Sequence, residues 1–331
     1  MASGASVWEL SDLCTPWCVH VVATLGIADH VEAGVTRIED LAARSKSDAE
    51  SLQRVLRHLV GRGLFDEPAA GVFALNDAAR GLLHAGARIG FDLDGFGGRM
   101  AYVWGSLLAA VRTGAPEYQT VFGVPFWEDL EAHPQIAAAF DALMGPGHGT
   151  PDPEVLVTGG WDSVRTVVDV GGGTGSLLAA ILRARPGVRG TLVDLPATVA
   201  RSAEVFQAAG VADRVTTAAQ SFFDPLPPGD DLYLLKSVLG DWPDREATAI
   251  LRRCADAARP SGRVVVLSGV SPDESGPASP ALLMMVLVGG KDRTLAAFRE
   301  MARAAGLEVL AAQSQGTSRF VVECVSRTSR S

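Results

Sequence analysis

The sequence predicts an α/β fold, a doubly wound parallel sheet behind a mainly helical N-terminal domain, and three observations carry that prediction. From Val164 onward, short β-branched runs alternate with helix-forming stretches: T-V-V-D-V, T-L-V-D-L, R-V-T-T-A-A, D-L-Y-L-L-K-S-V-L and R-V-V-V-L-S-G-V, closed by L-E-V-L-A-A-Q and S-R-F-V-V-E-C-V. Residues 166–180 condense the pattern into a strand (Val167, Val168, Val170), a tight turn (Gly171, Gly172, Gly173, Gly175) and a helix. Ahead of residue 160 apolar residues recur instead at helical spacing.

In chain order, residues 7–32 read as helices with one wide apolar face: Val7, Leu10, Leu13, Trp17, Val21, Val22, Leu25, Ile27 and Val31. A short helix from Ile38, a turn at residues 45–47, a longer helix over 49–62 and two short strands around 63–66 and 71–75 give the pattern of a winged helix. That motif raises DNA binding, for which Arg54, Arg57, His58 and Arg62 are a modest cationic set; a scaffold or dimerisation role is the stronger reading. Residues 88–160 read as helices with Gly/Pro joints, and aromatic side chains concentrate there. Tyr102, Trp104, Tyr118, Phe122, Phe126, Trp127 and Phe140 are candidates for the wall of a pocket that takes a flat aromatic molecule, with ordinary packing as the alternative for each. The divisions expected are 1–95, 96–160 as a helical linker and pocket region, and 161–331.

Composition narrows the function. A formal net charge of -9 argues against nucleic acid, which requires clustered Lys and Arg. No apolar run is long enough to span a bilayer and the first residues lack the pattern of a signal peptide, so the expected location is cytoplasmic. Cys254 and Cys324 are far apart in sequence. Cys14 and Cys18 sit one helical turn apart with no further ligand pair nearby in sequence, so they read as a buried reduced thiol pair and no metal is expected.

The glycine turn is where a ligand belongs, because the N–H groups that open the following helix point into it. A dinucleotide fingerprint fails, since the sixth position from Gly171 is Ser176, and the Gly-Lys-Ser/Thr ending of a P-loop is absent. What remains is D-x-G-x-G-x-G from Asp169 with a second acid, Asp194, at the end of the next strand, suited to the two hydroxyls of a ribose. This pair of strand ends resembles that of S-adenosylmethionine-dependent methyltransferases.

Further segments extend the likeness over almost the whole chain: A-T-L-G-I-A-D-H-V at Ala23, R-T-G-A-P-E-Y at Arg112, F-W-E-D-L at Phe126, S-F-F-D-P-L-P at Ser221, D-W-P-D at Asp241 and G-G-K-D-R-T at Gly289. With these the chain resembles the small-molecule O-methyltransferases of natural-product and phenylpropanoid metabolism, in particular the polyketide-tailoring type. The resemblance implies a winged-helix dimerisation domain, a Rossmann-like S-adenosylmethionine-binding domain, a homodimer and a small aromatic substrate. It places Asp169, Gly171 and Gly173 beside the methionine part of the cofactor, Asp194 and Leu195 at the ribose, Ser221 and Phe222 at the adenine, and Lys236 and Ser237 by the sulfonium. Tyr102, Trp104, Trp127, Phe140, Met144, Gly240 and Met284 are the corresponding substrate-binding candidates.

The base is where the pattern departs. Many relatives carry a His directly before D-W-P-D, a Glu after the next strand and an acid in a later helix; this chain has Gly240, Ser268 and Ala281. Methyl transfer by proximity and desolvation is then the leading expectation, with decarboxylation, hydroxylation or cyclisation on the same scaffold as the alternative. His148 on a Gly/Pro loop is a candidate replacement base, and Arg293 a candidate clamp for a substrate carboxylate. Asp241 is expected to cap or buttress the next helix, and Trp242 to pack.

Overall fold

A computed structural model of the chain describes residues 6–144, 152–272, 281–315 and 319–327. Contacts divide it into two compact units, Met1–Tyr102 with Ala138–Leu143, and Val103–Ala137 with Met144–Ser331. Residues 96–160, read as one linker and pocket region, are therefore shared between the two units.

The first unit opens with α1 (Val7–Leu10), α2 (Cys14–Thr24) and α3 (Ile27–Glu32), short helices rather than one continuous stretch because Gly26, at φ 61, ends a turn that only glycine adopts freely. Their apolar positions divide: Val22 and Ile27 are fully buried, whereas Val7, Trp8, Leu10 and Leu13 are exposed. Next come α4 (Ile38–Ser45) and α5 (Ala49–Gly61), the latter capped by Asp48, whose side chain accepts from the Ser51 N–H. Leu41, Leu52, Leu56 and Leu59 bury the faces that meet. The hairpin β1 (Asp66–Ala69) and β2 (Val72–Ala74) follows, antiparallel. Its first strand starts later than the apolar pattern predicts, because Gly63 and Phe65 have φ of 80 and 76 and turn the chain out of α5. Helices α6 (Asp77–Arg80), α7 (Ala85–Phe91) and α8 (Phe96–Val103) complete this part, and Phe96 packs edge-on to Phe140 at 5.6 Å.

The second unit begins with α9 (Leu107–Thr113), α10 (Tyr118–Phe122) and α11 (Phe126–Ala132); α12 (Pro134–Met144) belongs for the most part to the first unit. The sheet is built from β3 (Thr166–Val170), α13 (Ser176–Ala184), β4 (Arg189–Asp194), α14 (Pro196–Ala208), β5 (Val215–Ala219), β6 (Leu232–Lys236), α15 (Asp244–Ala257) and β7 (Arg263–Leu267). The small pair β8 (Val270–Ser271) and β9 (Arg293–Thr294) brackets α16 (Leu282–Val288); α17 (Leu295–Ala304), β10 (Leu307–Gln315) and β11 (Arg319–Ser326) close the chain. Strand order is β10-β11-β7-β6-β3-β4-β5, parallel from β7 to β5 and antiparallel at β11 and β10. Val167, Val168, Val170, Leu232, Leu234, Val264 and Val265 are fully buried in it, each contributing about 1.5–3 kcal/mol. The parallel strands all end on one edge, and there the site residues gather.

Candidate active site

The glycine turn is shaped by its neighbours. Gly171 (φ 66) donates its N–H to Val193 O at 2.8 Å, and a Cβ on it would meet Val238 at 2.8 Å. A Cβ at Gly175 (φ 83) would lie 2.3 Å from the Phe206 ring. Gly173 (φ 61) differs, with nothing within 4 Å of its Cβ position, so that part of the turn is open. Its N–H donates to Asp194 Oδ2 at 2.8 Å while Leu195 N–H donates to Oδ1 at 2.8 Å. Both carboxylate oxygens are thus fixed by backbone.

Asp169 lies beneath the turn, 1 % exposed, with the Leu178 N–H as its nearest backbone donor, and among the described residues neither carboxyl oxygen nor the buried Ser176 hydroxyl makes a well-formed hydrogen bond. Burial pushes the Asp169 carboxyl up to about 7, with Lys236 opposing and Asp194 reinforcing the shift. An orphaned carboxyl at the mouth of a helix is where a cationic or donor group of a ligand fits. Phe222 borders Gly171, and Ser221 Oγ accepts from Phe223 N–H at 3.2 Å. Lys236 and Ser237 are exposed at the end of β6, Ser237 with φ 55 and its N–H on Leu267 O.

An aromatic run leads away from this edge. Trp242 meets Phe222 and Phe223 edge-on at 5.9 and 5.0 Å and stacks on Trp127 at 6.1 Å, so it packs as expected. Helix α16, with Met284, packs against α9, α10 and the turns at 104–106 and 239–241. Trp104, Trp127, Gly240 and Met284 therefore belong to this unit, while Tyr102 (5.5 Å from Trp17) and Phe140 belong to the other. Met144 ends α12, its side chain outside the described residues, and His148 lies outside them altogether.

Around Gly240 the walls are backbone. A Cβ at Gly290 would sit 2.2 Å from Gly240 O, and one at Gly269 would sit 3.2 Å from Gly240 N. Gly240 itself has room: its Cβ position is 3.7 Å from Asp292 Oδ1 and 3.8 Å from Gly269 Cα. Asp292 is a residue that the sequence reading missed, although it stands in the G-G-K-D-R-T motif. It faces Asp241, whose carboxyl burial raises to about 7 with Asp292 as the second cause. Asp241 does not cap α15; Pro243 holds that position.

Arg293, expected to clamp a substrate carboxylate, is committed elsewhere. It is 4 % exposed; Nε donates to Asp244 Oδ1 at 2.9 Å, Nη1 to Leu239 O at 2.7 Å and Lys291 O at 3.2 Å, and Nη2 to Trp242 O at 2.6 Å. The guanidinium latches the 289–293 loop onto the 239–242 turn and thereby sets Asp292 beside Gly240. Arg293→Met should lower stability by about 3–5 kcal/mol, read by denaturant unfolding, because the buried Leu239 carbonyl and the Trp242 carbonyl lose their donor and Asp244 keeps only Lys291.

Comparison with known proteins matches residues 104–308 to the O-methyltransferase domain and residues 8–85 to the O-methyltransferase dimerisation domain. The chain belongs to the O-methyltransferase family. It is 40% identical over 306 residues, 92% of either chain, to a 2,7-dihydroxy-5-methyl-1-naphthoate 7-O-methyltransferase of Streptomyces carzinostaticus. It is also 37% identical to the aclacinomycin 10-hydroxylase RdmB of Streptomyces purpurascens, covering 94% of this chain and 86% of that one. Among solved structures, an O-methyltransferase from neocarzinostatin biosynthesis in complex with S-adenosylmethionine and 2-hydroxy-5-methyl naphthoic acid superposes with a TM-score of 0.90 at 38% identity, over 98% of this chain and 100% of that one.

Proposed function

We propose that this O-methyltransferase family member binds S-adenosylmethionine and methylates a hydroxyl of a small aromatic, polyketide-type natural product, acting as a cytoplasmic homodimer. The observation that carries the reading is the open turn at Gly173 between a backbone-fixed Asp194 and an orphaned, buried Asp169. Bound there, the cofactor supplies an electrophilic methyl group on a sulfonium. Asp194 accepts from the ribose hydroxyls, with Leu195 fixing its second oxygen, and Asp169 takes the ammonium of the methionine part, by way of water where the reach requires it. Phe222 and Ser221 flank the adenine, and Lys236 and Ser237 line the methionine side. Trp104, Trp127, Met284 and the Gly240 floor hold the ring of the substrate.

The hydroxyl proton goes to Asp292, the carboxylate nearest to the space that a side chain at Gly240 would enter. Dimerisation is supported by the exposed Val7, Trp8, Leu10 and Leu13 within the matched dimerisation segment. Free cysteines accord with a reducing cytoplasm. The test is incubation with S-adenosylmethionine and hydroxylated naphthoic acids, followed by mass spectrometry. A product heavier by one CH2 unit with release of S-adenosylhomocysteine is expected; unchanged acids across the panel, together with no calorimetric binding of the cofactor at millimolar concentration, would sink the reading.

A second reading, a scaffold turned to hydroxylation or decarboxylation, is favoured by Gly240, Ser268 and Ala281 and by the likeness to a hydroxylase. An oxygenated or decarboxylated product in the same assay would select it.

Asp169 gives a separate check. Its folded-state carboxyl is raised, so the cofactor-free protein loses stability as pH climbs from about 4 through about 7. Asp169→Asn removes that loss: its melting temperature relative to wild type should rise between pH 5 and pH 8, while cofactor affinity falls.

A further inference from the structure

Three side chains that the methyl-transfer site does not use converge in the first unit. Cys14 and Cys18 stand on successive turns of α2, and His58 reaches them from α5, forty-odd residues away in sequence. One ligand atom from each lies within 4.8 Å of the other two. The sequence shows only the C-x-x-x-C pair; the third ligand comes from the packing of α2 on α5.

The geometry points to a binding site for a soft divalent cation of the zinc class, held by the Cys14 and Cys18 thiolates and the His58 imidazole. The sulfurs are 3.8 Å apart. A tetrahedral site with Zn–S bonds of about 2.3 Å has an S···S edge of about 3.8 Å, so the pair needs no rearrangement. The imidazole is oriented from outside. Thr15 Oγ1 donates to Asp12 Oδ2 at 2.6 Å, so its oxygen accepts from His58 Nε2 at 2.8 Å, and the second ring nitrogen keeps its lone pair. A hydrogen bond of this kind fixes the tautomer of a metal-binding histidine. Asp12 is itself held by Arg62 at 2.8 Å and by the Cys14 and Thr15 N–H groups.

Access agrees. Cys14 is exposed, correcting the expectation of a buried pair, and gives the ion an entrance, while Cys18 is buried. A dication displaces both thiol protons to solvent, forms two S–metal bonds and leaves the neutral imidazole as third ligand, with water in the open position. Two thiolates balance its charge, so little uncompensated charge remains in the half-buried site. No change of oxidation state is involved. The ion would pin α2 to α5 within this unit.

The test is a titration of the reduced protein with Co2+ alone, read by absorption, then displacement with Zn2+. One equivalent of cobalt should give a thiolate-to-cobalt charge-transfer band and the intense d–d bands of a tetrahedral ion, both abolished by zinc. Cys14→Ser, at an exposed position, and His58→Gln should each weaken cobalt binding by more than about 100-fold, beyond what loss of an outer partner costs, with circular dichroism unchanged. Wild-type protein without the charge-transfer band would overturn the proposal, as would a band undiminished in Cys14→Ser or a thiol count revealing a Cys14–Cys18 disulfide under reducing conditions.

Discussion

Asp194→Ala should raise the dissociation constant for S-adenosylmethionine by about 100-fold or more. Two hydrogen bonds from ribose hydroxyls to an ionised carboxylate contribute about 1.5–3 kcal/mol each, and every 1.4 kcal/mol is tenfold in affinity. The same carboxylate accepts from Gly173 N–H and Leu195 N–H, so its loss also loosens the turn. Asp194→Asn, which keeps one acceptor oxygen, should fall between. Calorimetry reads the affinities, and thermal unfolding without cofactor separates lost binding from lost fold. An alanine variant binding within threefold of wild type would remove the ribose role.

The second large effect is expected at Asp292. Asp292→Asn should lower kcat by about 100- to 10,000-fold with little change in KM, the range for removal of a general base. The pH profile carries a sign. Burial first and Asp292 second raise the Asp241 carboxyl to about 7, so wild-type kcat should climb as pH rises through about 7 and Asp241, beside the base, gains its negative charge. In Asp292→Asn the repulsion is gone while burial remains, so the inflection of the residual activity moves to lower pH. Gly240→His in that background should restore activity in part, since the Cβ meets only ordinary contacts at 3.7 and 3.8 Å. A variant with unaltered kcat and profile would show that proximity alone suffices.

How much of this was legible depended on range. The cofactor turn was readable because everything that defines it is local: Val167 to Val170 as a buried strand, glycines with positive φ, then a helix. The closing pair of strands was readable from two β-rich runs at the end of the chain, though not its antiparallel direction. The start of β1 was not, because Phe65 adopts a backbone conformation that its β propensity opposes. The Asp241–Asp292 pair depends on a loop folded back across fifty residues, and the signal for it was Arg293, which looked like a ligand clamp and is a latch. His58 beside Cys14 and Cys18 was hidden for the same reason: no spacing rule joins helices that meet only in three dimensions.

The glycine-walled floor around residue 240 has an evolutionary consequence. At 290 a new side chain would run into backbone, and at 269 it would be crowded against Gly240 and strained by a φ of 80; only 240 accepts one without disturbance. Chemistry at this spot is thus exchangeable through a single codon while the scaffold stays intact. A lineage can shed a side chain there, explore catalysis without it and regain one, with fold and cofactor turn untouched.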